Sequence, residues 1–203
     1  MDCPSAHHPS PFKLPEELPL IVLQDCFLFP GCLIPLFIFE TRYRAMLSHA
    51  LKTHRMFAIG ALQPGGGLLT CTTAGLVRTS QTLPDGTSQV LLHGLARVQM
   101  TDWQQTEPFP IARIRPLPID RGHPSTVRAL REQAMRLLPE PPPECAEAIA
   151  LLRAQLDDLE DSEAVCDILA YHFVKNPSVQ ASLQIEPRLE RRLEILIRHL
   201  KID

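Results

Sequence analysis

The chain has 203 residues, of which 45% are hydrophobic and 21% are charged, and its formal net charge at pH 7 is −3. This composition is typical of an ordinary folded protein, and it excludes a disordered chain and a strongly basic one. The uncharged run at residues 26–39 is too short to cross a bilayer, which takes about 20 residues. We therefore expect no membrane association.

The amino terminus and the cysteines indicate the cellular compartment of the protein. Residues 1–15 are rich in proline, serine and histidine, so we expect a disordered leader there. They contain no basic segment followed by an apolar one, so a secretory signal is not expected. None of the six cysteines belongs to a C-x-x-C pair. Reduced, buried thiols in a cytoplasmic protein are the resulting prediction.

The first elements predicted are strand, loop, strand and helix, over residues 18–53. Two apolar runs, at residues 20–23 and 33–39, flank a Pro30-Gly31 turn, and this pattern favours two buried strands. From Glu40 onward the apolar residues recur at helical spacing, which predicts a helix to about residue 53. Residues 55–62 predict a third strand.

The clearest hairpin lies at residues 72–100. Pro84, Asp85 and Gly86 are typical of a tight turn between two strands. The apolar face switches at His93 and Gly94, where we expect a bulge or a close strand crossing. A last strand is predicted within residues 109–117.

The second part of the chain has helical periodicity. Apolar residues recur at helical spacing in three segments between residues 127 and 172, Asp161 or Ser162 is predicted as an N-cap, and Pro187 is predicted in the first turn of a final helix. Residues 1–122 hold ten Lys and Arg against nine Asp and Glu, whereas residues 123–203 hold ten against fourteen. This difference in charge favours a boundary near residues 120–124.

Several motifs resemble one known family. Leu-Pro-Leu at 18–20, Phe-Pro-Gly at 29–31, the 35–40 segment PLFIFE and Arg-Tyr-Arg at 42–44 are similar to the start of the N-terminal domain of Lon proteases. The LPDGT turn at 83–87, followed by VLLHGLAR at 90–97, resembles a hairpin of that family, and the helices starting near Asp161 and Pro187 match more loosely.

The resemblance implies an α+β fold. We expect a small mixed PUA-like β-barrel of about six strands, with one helix after strand 2, over residues 16–120. A C-terminal helical bundle over residues 121–203 would complete one Lon N-terminal-like domain. Full-length members also carry an ATPase domain and a protease domain, and neither has a counterpart in this sequence. The resemblance therefore implies a non-catalytic module that binds protein or unfolded polypeptide, with cooperation with a separate protease left open.

The residues themselves offer no constellation for catalysis. The glycines at 65–67 are not followed by the Lys-Ser or Lys-Thr of a phosphate loop. No histidine pair has the spacing of a zinc site. Cys32 and His93 could form a thiol nucleophile and its base, but small hydrophobic packing is the favoured interpretation of Cys32. We expect no enzyme activity, no cofactor and no metal.

Binding residues are sought among the aromatic side chains. Phe27, Leu28 and Phe29 stand beside the Pro-Gly turn, so we expect them at the barrel rim, and Trp103 and Phe109 flank a polar loop. Core packing is the alternative for each.

Two other classes of function stay open from the sequence alone. One is a barrel that binds a small molecule or acts as a cryptic enzyme. The other is an RNA-binding PUA-like domain, suggested by Arg42, Arg44, Lys52 and Arg55 around the first helix. The net charge of −3 disfavours nucleic acid, because dedicated binders are usually basic.

Overall fold

The structure is a computed structural model that describes residues 14–62, 67–105, 107–139 and 143–201. Most of the expected leader, and the glycine run up to Gly66, therefore lie outside the described residues. The first part of the chain forms β1 (Glu17–Gln24), β2 (Leu33–Ile38), α1 (Thr41–Lys52), β3 (Met56–Leu62), β4 (Cys71–Thr82), β5 (Ser88–Gln104) and β6 (Ile111–Pro116). The second part forms α2 (Pro124–Arg136), a short 3₁₀ turn (Pro143–Cys145), α3 (Ala146–Asp158), α4 (Ser162–Phe173), α5 (Pro177–Ile185) and α6 (Leu189–Leu200).

The six strands form one mixed sheet that nearly closes into a ring. Its order is β2-β5-β4-β3-β1-β6, and β5 also pairs with β6. Only β1 and β3 run parallel. The predicted fold, a six-stranded mixed barrel with one helix after strand 2 and then a helical region, is confirmed. The boundary between barrel and helical subdomains stays a prediction.

The hairpin of β4 and β5 has local causes that the sequence shows. Asp85 Oδ1 accepts a hydrogen bond from the Thr87 amide at 2.9 Å, and Gly86 has a φ of 80°, which few other residues tolerate. Further along, the register shifts beside Gly75, and a Cβ on Gly94 would lie 2.2 Å from the Phe29 carbonyl oxygen. The close crossing expected at Gly94 is therefore present.

The second strand differs from the prediction. It was expected to be buried, but only Ile38 of β2 is fully buried and every second residue is exposed. The reason is its position: β2 pairs with β5 alone and lies at the end of the strand order. One face packs toward α1, and no layer formed by the described residues covers the other.

The helices pack on the barrel through a shared apolar core. Phe29 and Cys32, from the loop between β1 and β2, belong to the same buried cluster as Leu169 of α4 and Leu193 of α6. The predicted cap of α4 is confirmed, because Asp161 Oδ1 accepts from the Glu163 amide at 2.9 Å. Pro187 precedes the last helix rather than starting it, and α5 was not predicted.

Candidate functional site

The aromatic segment expected at the barrel rim is buried. Phe27 is 7% exposed, Leu28 is 2% exposed and Phe29 is fully buried, so the expectation of a solvent-facing rim is wrong. The helical part covers this loop, and the Arg97 guanidinium carbon lies 5.8 Å from the centroid of the Phe29 ring. Phe109 is also buried. The indole of Trp103 is exposed.

A different apolar surface is exposed on β2. Leu33, Phe37 and Phe39 are 46%, 54% and 60% exposed, and Pro35 between them is exposed as well. We call these four residues the β2 apolar face. Side chains alternate across a strand, so residues 34, 36 and 38 point into the core while the odd-numbered ones point outward. The Phe37 and Phe39 rings stack with centroids 6.0 Å apart.

The β2 apolar face continues a row that begins inside the barrel. Met56, Leu76, His93 and Leu33 are paired in turn across β3, β4, β5 and β2, and directly opposed residues lie on one side of a sheet. Met56 is buried in the cluster that fills the ring, and Leu76 packs against that cluster. The exposed face is thus the extension of the barrel interior beyond the ring.

Beside this face lies an open groove of about 540 Å³. It is lined by residues of β2, β4 and β5: Pro35, Leu36, Phe37, Thr79, Ser80, Gln81, Gln89, Val90 and Leu91. The lining combines apolar side chains with hydroxyl and amide groups and includes no ionisable residue. Such a groove can accept apolar side chains of a partner.

The free edge of β2 is poorly suited to pairing with another strand. The Cys32 carbonyl accepts from the Gly94 amide at 2.9 Å, whereas the Leu33 carbonyl accepts from the Tyr171 hydroxyl at 2.8 Å. Main-chain groups alternate in direction along an antiparallel ladder, so those of Pro35 point away from β5. Proline has no amide hydrogen, and prolines on an edge oppose strand addition. Contact through side chains is therefore favoured over β-augmentation.

A buried ionic network joins the helices to the sheet. Asp167 of α4 accepts hydrogen bonds from Arg97 of β5, at 2.5 and 2.7 Å, and from Arg192 of α6, at 3.0 Å. Glu163 lies 2.9 Å from Arg192. Burial raises the pKa of Asp167, and the charges of the two guanidinium groups oppose that rise. The same helix, α4, carries the Tyr171 that contacts the edge of β2.

Cys32, which the sequence offered as a thiol nucleophile, lacks the reactivity that this role requires. Burial, with a contribution from the Asp167 charge, raises the pKa of the Cys32 thiol to about 12, so the reactive thiolate is absent at neutral pH. The Cys32 Sγ donates to the Asp167 carbonyl oxygen at 3.9 Å. Burial, together with the Arg78 charge, lowers the pKa of His93. Cys32 thus behaves as a small core residue.

Metal sites and membrane-spanning helices are two further possibilities. Within the described ranges, no cluster of three or more His, Cys, Asp and Glu side chains has the arrangement of a metal site. In the same part of the chain, no helix is long and apolar enough to span a membrane.

Two arginines of the basic patch around α1 form contacts within the protein. Arg42 forms an ion pair with Glu40 at 2.9 Å and lies over the Tyr43 ring. Arg55 donates to the Val77 carbonyl at 3.3 Å. The Arg42–Glu40 pair leaves less unpaired positive charge in this patch than the sequence suggested, which further disfavours nucleic acid.

Similar proteins were found by sequence. Residues 17–201 match the family of the ATP-dependent protease La (LON) substrate-binding domain. Lon protease 2 of Herpetosiphon aurantiacus is 26% identical over 199 residues, which cover 89% of this chain and 23% of that protein. The Lon protease of Roseiflexus castenholzii is 29% identical over 209 residues, covering 95% and 25%. The chain thus spans about a quarter of the length of these relatives.

Solved structures share the fold. The N-terminal domain of the Mycobacterium avium complex Lon protease superposes with a TM-score of 0.74 at 15% identity, covering 91% of this chain and 98% of that one. A Lon N-terminal domain protein from Xanthomonas campestris gives 0.64 at 22% identity, covering 90% and 97%. The ATPase and protease parts of the Lon proteases have no counterpart within these 203 residues. The chain belongs to the Lon substrate-binding domain family.

Proposed function

We propose that this chain is a non-catalytic module that binds non-native polypeptide through the β2 apolar face. One observation carries the proposal: of the seven large hydrophobic side chains that are exposed among the described residues, three lie in this single short segment. Scattered exposed hydrophobics are normal, but a contiguous group marks an interaction surface. The family of substrate-binding domains to which the chain belongs supports a protein client.

The geometry supports an extended client segment. The exposed side chains follow one strand, so a client running alongside it would meet Leu33, Pro35, Phe37 and Phe39 in succession. Unfolded chains expose apolar side chains that native proteins bury, which makes such a surface selective for non-native protein. The proline on the free edge directs the contact to side chains rather than to main-chain pairing.

The binding residues predicted from the sequence fall into a buried group and one exposed residue. Phe27, Leu28, Phe29 and Phe109 are not part of the proposed surface, because they are buried. Trp103 is 43% exposed and stays a separate candidate for contact with protein. Delivery of a bound segment to a separate protease would be a later step of the same function.

The proposal is tested by the double variant Phe37→Ser/Phe39→Ser. A reduced, alkylated lactalbumin, which cannot refold, is titrated against the wild type and the variant. We expect the variant to lose about 1–3 kcal/mol of binding free energy, the scale for apolar side chains that are buried on binding. The melting temperature should change little, because both rings are exposed.

Leu151→Ser provides the matched control, since Leu151 is 61% exposed but lies on α3. This control should bind the client as the wild type does. Equal losses in the control and the double variant would mean that binding is a general response to surface apolarity. Unchanged binding in the double variant would remove the β2 apolar face from the function.

A further inference from the structure

We infer that the β2 apolar face prefers client segments that carry a carboxylate, and that Arg78 holds this carboxylate at the Leu33 end of the face. This inference rests on the proposed function and adds a charge preference to it. It follows from the distribution of charge around the face.

Among the described residues, the positions that oppose the outward side of β2 across the sheet carry no negative charge. The outward positions of β2 beside β5 are Leu33, Pro35 and Phe37, and they oppose His93, Leu91 and Gln89. The next outward positions, on β4, are Thr79 and Gln81. None of these residues is acidic, so a client carboxylate meets no repulsion there.

Arg78 is the nearby cation. It is the extra residue of a β-bulge, because Val77 opposes Leu92 while Thr79 opposes Leu91, and bulges often turn a side chain toward a functional surface. Its side chain is exposed. Among the residues that the structure describes, the Arg78 side chain takes part in no hydrogen bond or ion pair.

The strand register puts Arg78 beside the Leu33 end of the face. Arg78 lies between Leu76, which is in the row of His93 and Leu33, and Thr79, which is in the row of Leu91 and Pro35. Burial and the positive charge of Arg78 lower the pKa of His93. His93 lies directly opposite Leu33 in the ladder, which agrees with the position of Arg78 given by the register. The imidazole is then neutral at neutral pH, and Arg78 is the charge that a client would meet.

The opposite end of the face is electrically balanced. Phe39 is followed by Glu40, whose carboxylate pairs with Arg42 at 2.9 Å. The asymmetry gives the bound segment a direction. Because a strand rises about 3.3 Å per residue, Leu33 and Phe39 are separated by roughly 20 Å. The client carboxylate should therefore lie about four to six residues along the client chain from the apolar residue that contacts Phe37 and Phe39.

The test uses three labelled peptides that differ at one position. Each has the same apolar pair, with Asp, Asn or Lys placed about five residues away, and binding is followed by fluorescence anisotropy at low ionic strength. We expect the wild type to bind the Asp peptide roughly two- to fivefold more tightly than the Asn peptide, the range for a solvent-exposed ion pair.

Two variants of Arg78 make the test specific. Arg78→Gln should remove the preference for Asp, and Arg78→Glu should replace it with a preference for Lys. Arg128→Gln is the matched control, because Arg128 is an exposed arginine on α2, and it should keep the preference for Asp. A reversed preference in the Arg78→Glu variant cannot arise from misfolding.

The outcomes separate this inference from the proposed function. Equal affinities of the wild type for the three peptides would overturn the charge preference and leave polypeptide binding standing. If none of the three peptides binds, the inference and the proposed function are both wrong. An oligothymidylate bound as tightly as the Asp peptide, in a manner lost in Arg78→Gln, would assign Arg78 to nucleic acid and overturn the inference as well.

Discussion

Replacing Asp167 by Asn should destabilise the protein strongly. The side chains of Asp167, Arg97 and Arg192 are 1%, 2% and 0% exposed, so the carboxylate balances two guanidinium groups that water does not reach. After the substitution Glu163, which is 15% exposed, is the one carboxylate among the described residues that still pairs with both arginines, at 2.9 Å from Arg192 and 3.7 Å from Arg97. Breaking a buried ion pair in this way costs about 3–5 kcal/mol.

The loss of unfolding free energy can be measured by urea unfolding, and thermal melting provides a second readout. For a chain of this size, about 3–5 kcal/mol corresponds to a decrease of roughly 6–20 °C in melting temperature. The control is Asp157→Asn, at an exposed position on α3, which should change stability by less than about 0.5 kcal/mol.

A loss below about 1 kcal/mol for Asp167→Asn would refute the reasoning, because it would place the variant in the range of exposed pairs. Simultaneous replacement of Arg97, Asp167 and Arg192 by apolar residues of similar volume separates charge balance from packing. That triple variant should be far more stable than the single one, since no unpaired guanidinium remains buried and Glu163 keeps Arg121 at 3.4 Å.

Three further predictions concern the core, the cysteines and pH. Phe29→Ser should cost at least about 3–5 kcal/mol in urea unfolding, the range for truncation of a buried Phe, and an unchanged unfolding midpoint would contradict its burial. Native protein treated with iodoacetamide at pH 8 should be alkylated at the exposed Cys145 and not at Cys166, whose thiol pKa burial raises to about 12. Equal alkylation of the two cysteines would contradict this prediction. Burial lowers the pKa of His93 and of His172 in the folded state. Their contribution to stability is therefore complete above the usual histidine pKa of about 6.5 and is lost as pH falls through the lower folded values. Urea midpoints that do not fall between pH 7 and pH 5 would contradict this.

The parts of the fold that could be predicted have local causes. The turn at Asp85 and Gly86 needs only its own residues, and the cap at Asp161 needs only the amide of Glu163. Helix α5 was missed because only Leu183 and Gln184 of its residues are buried, so its apolar periodicity is weak. The fold class depended on several such signals in a fixed order together with the resemblance to the Lon N-terminal domain.

The candidate site could not be predicted because its exposure is a tertiary property. The segment 33–39 is apolar at every position, so its sequence has no polar alternation that would reveal an exposed face. Whether β2 has a second neighbour depends on where β1 and β6 pair, far away in the chain. Phe29 misled in the opposite direction, since a Pro-Gly turn usually lies at a surface, but here α4 and α6 cover it.

Site-specific photo-crosslinking tests the central claim most directly. A benzophenone side chain is placed at Phe37, at Trp103 or at Leu151 in the full chain, and each protein is irradiated with the unfolded lactalbumin. The account predicts a client adduct from position 37 and none from position 151, with competition by an unlabelled apolar peptide. The benzophenone at position 103 tests whether Trp103 also contacts the client. Adducts of equal yield from positions 37 and 151, or none from position 37 while the client is bound, would contradict the assignment of the β2 apolar face as the binding surface.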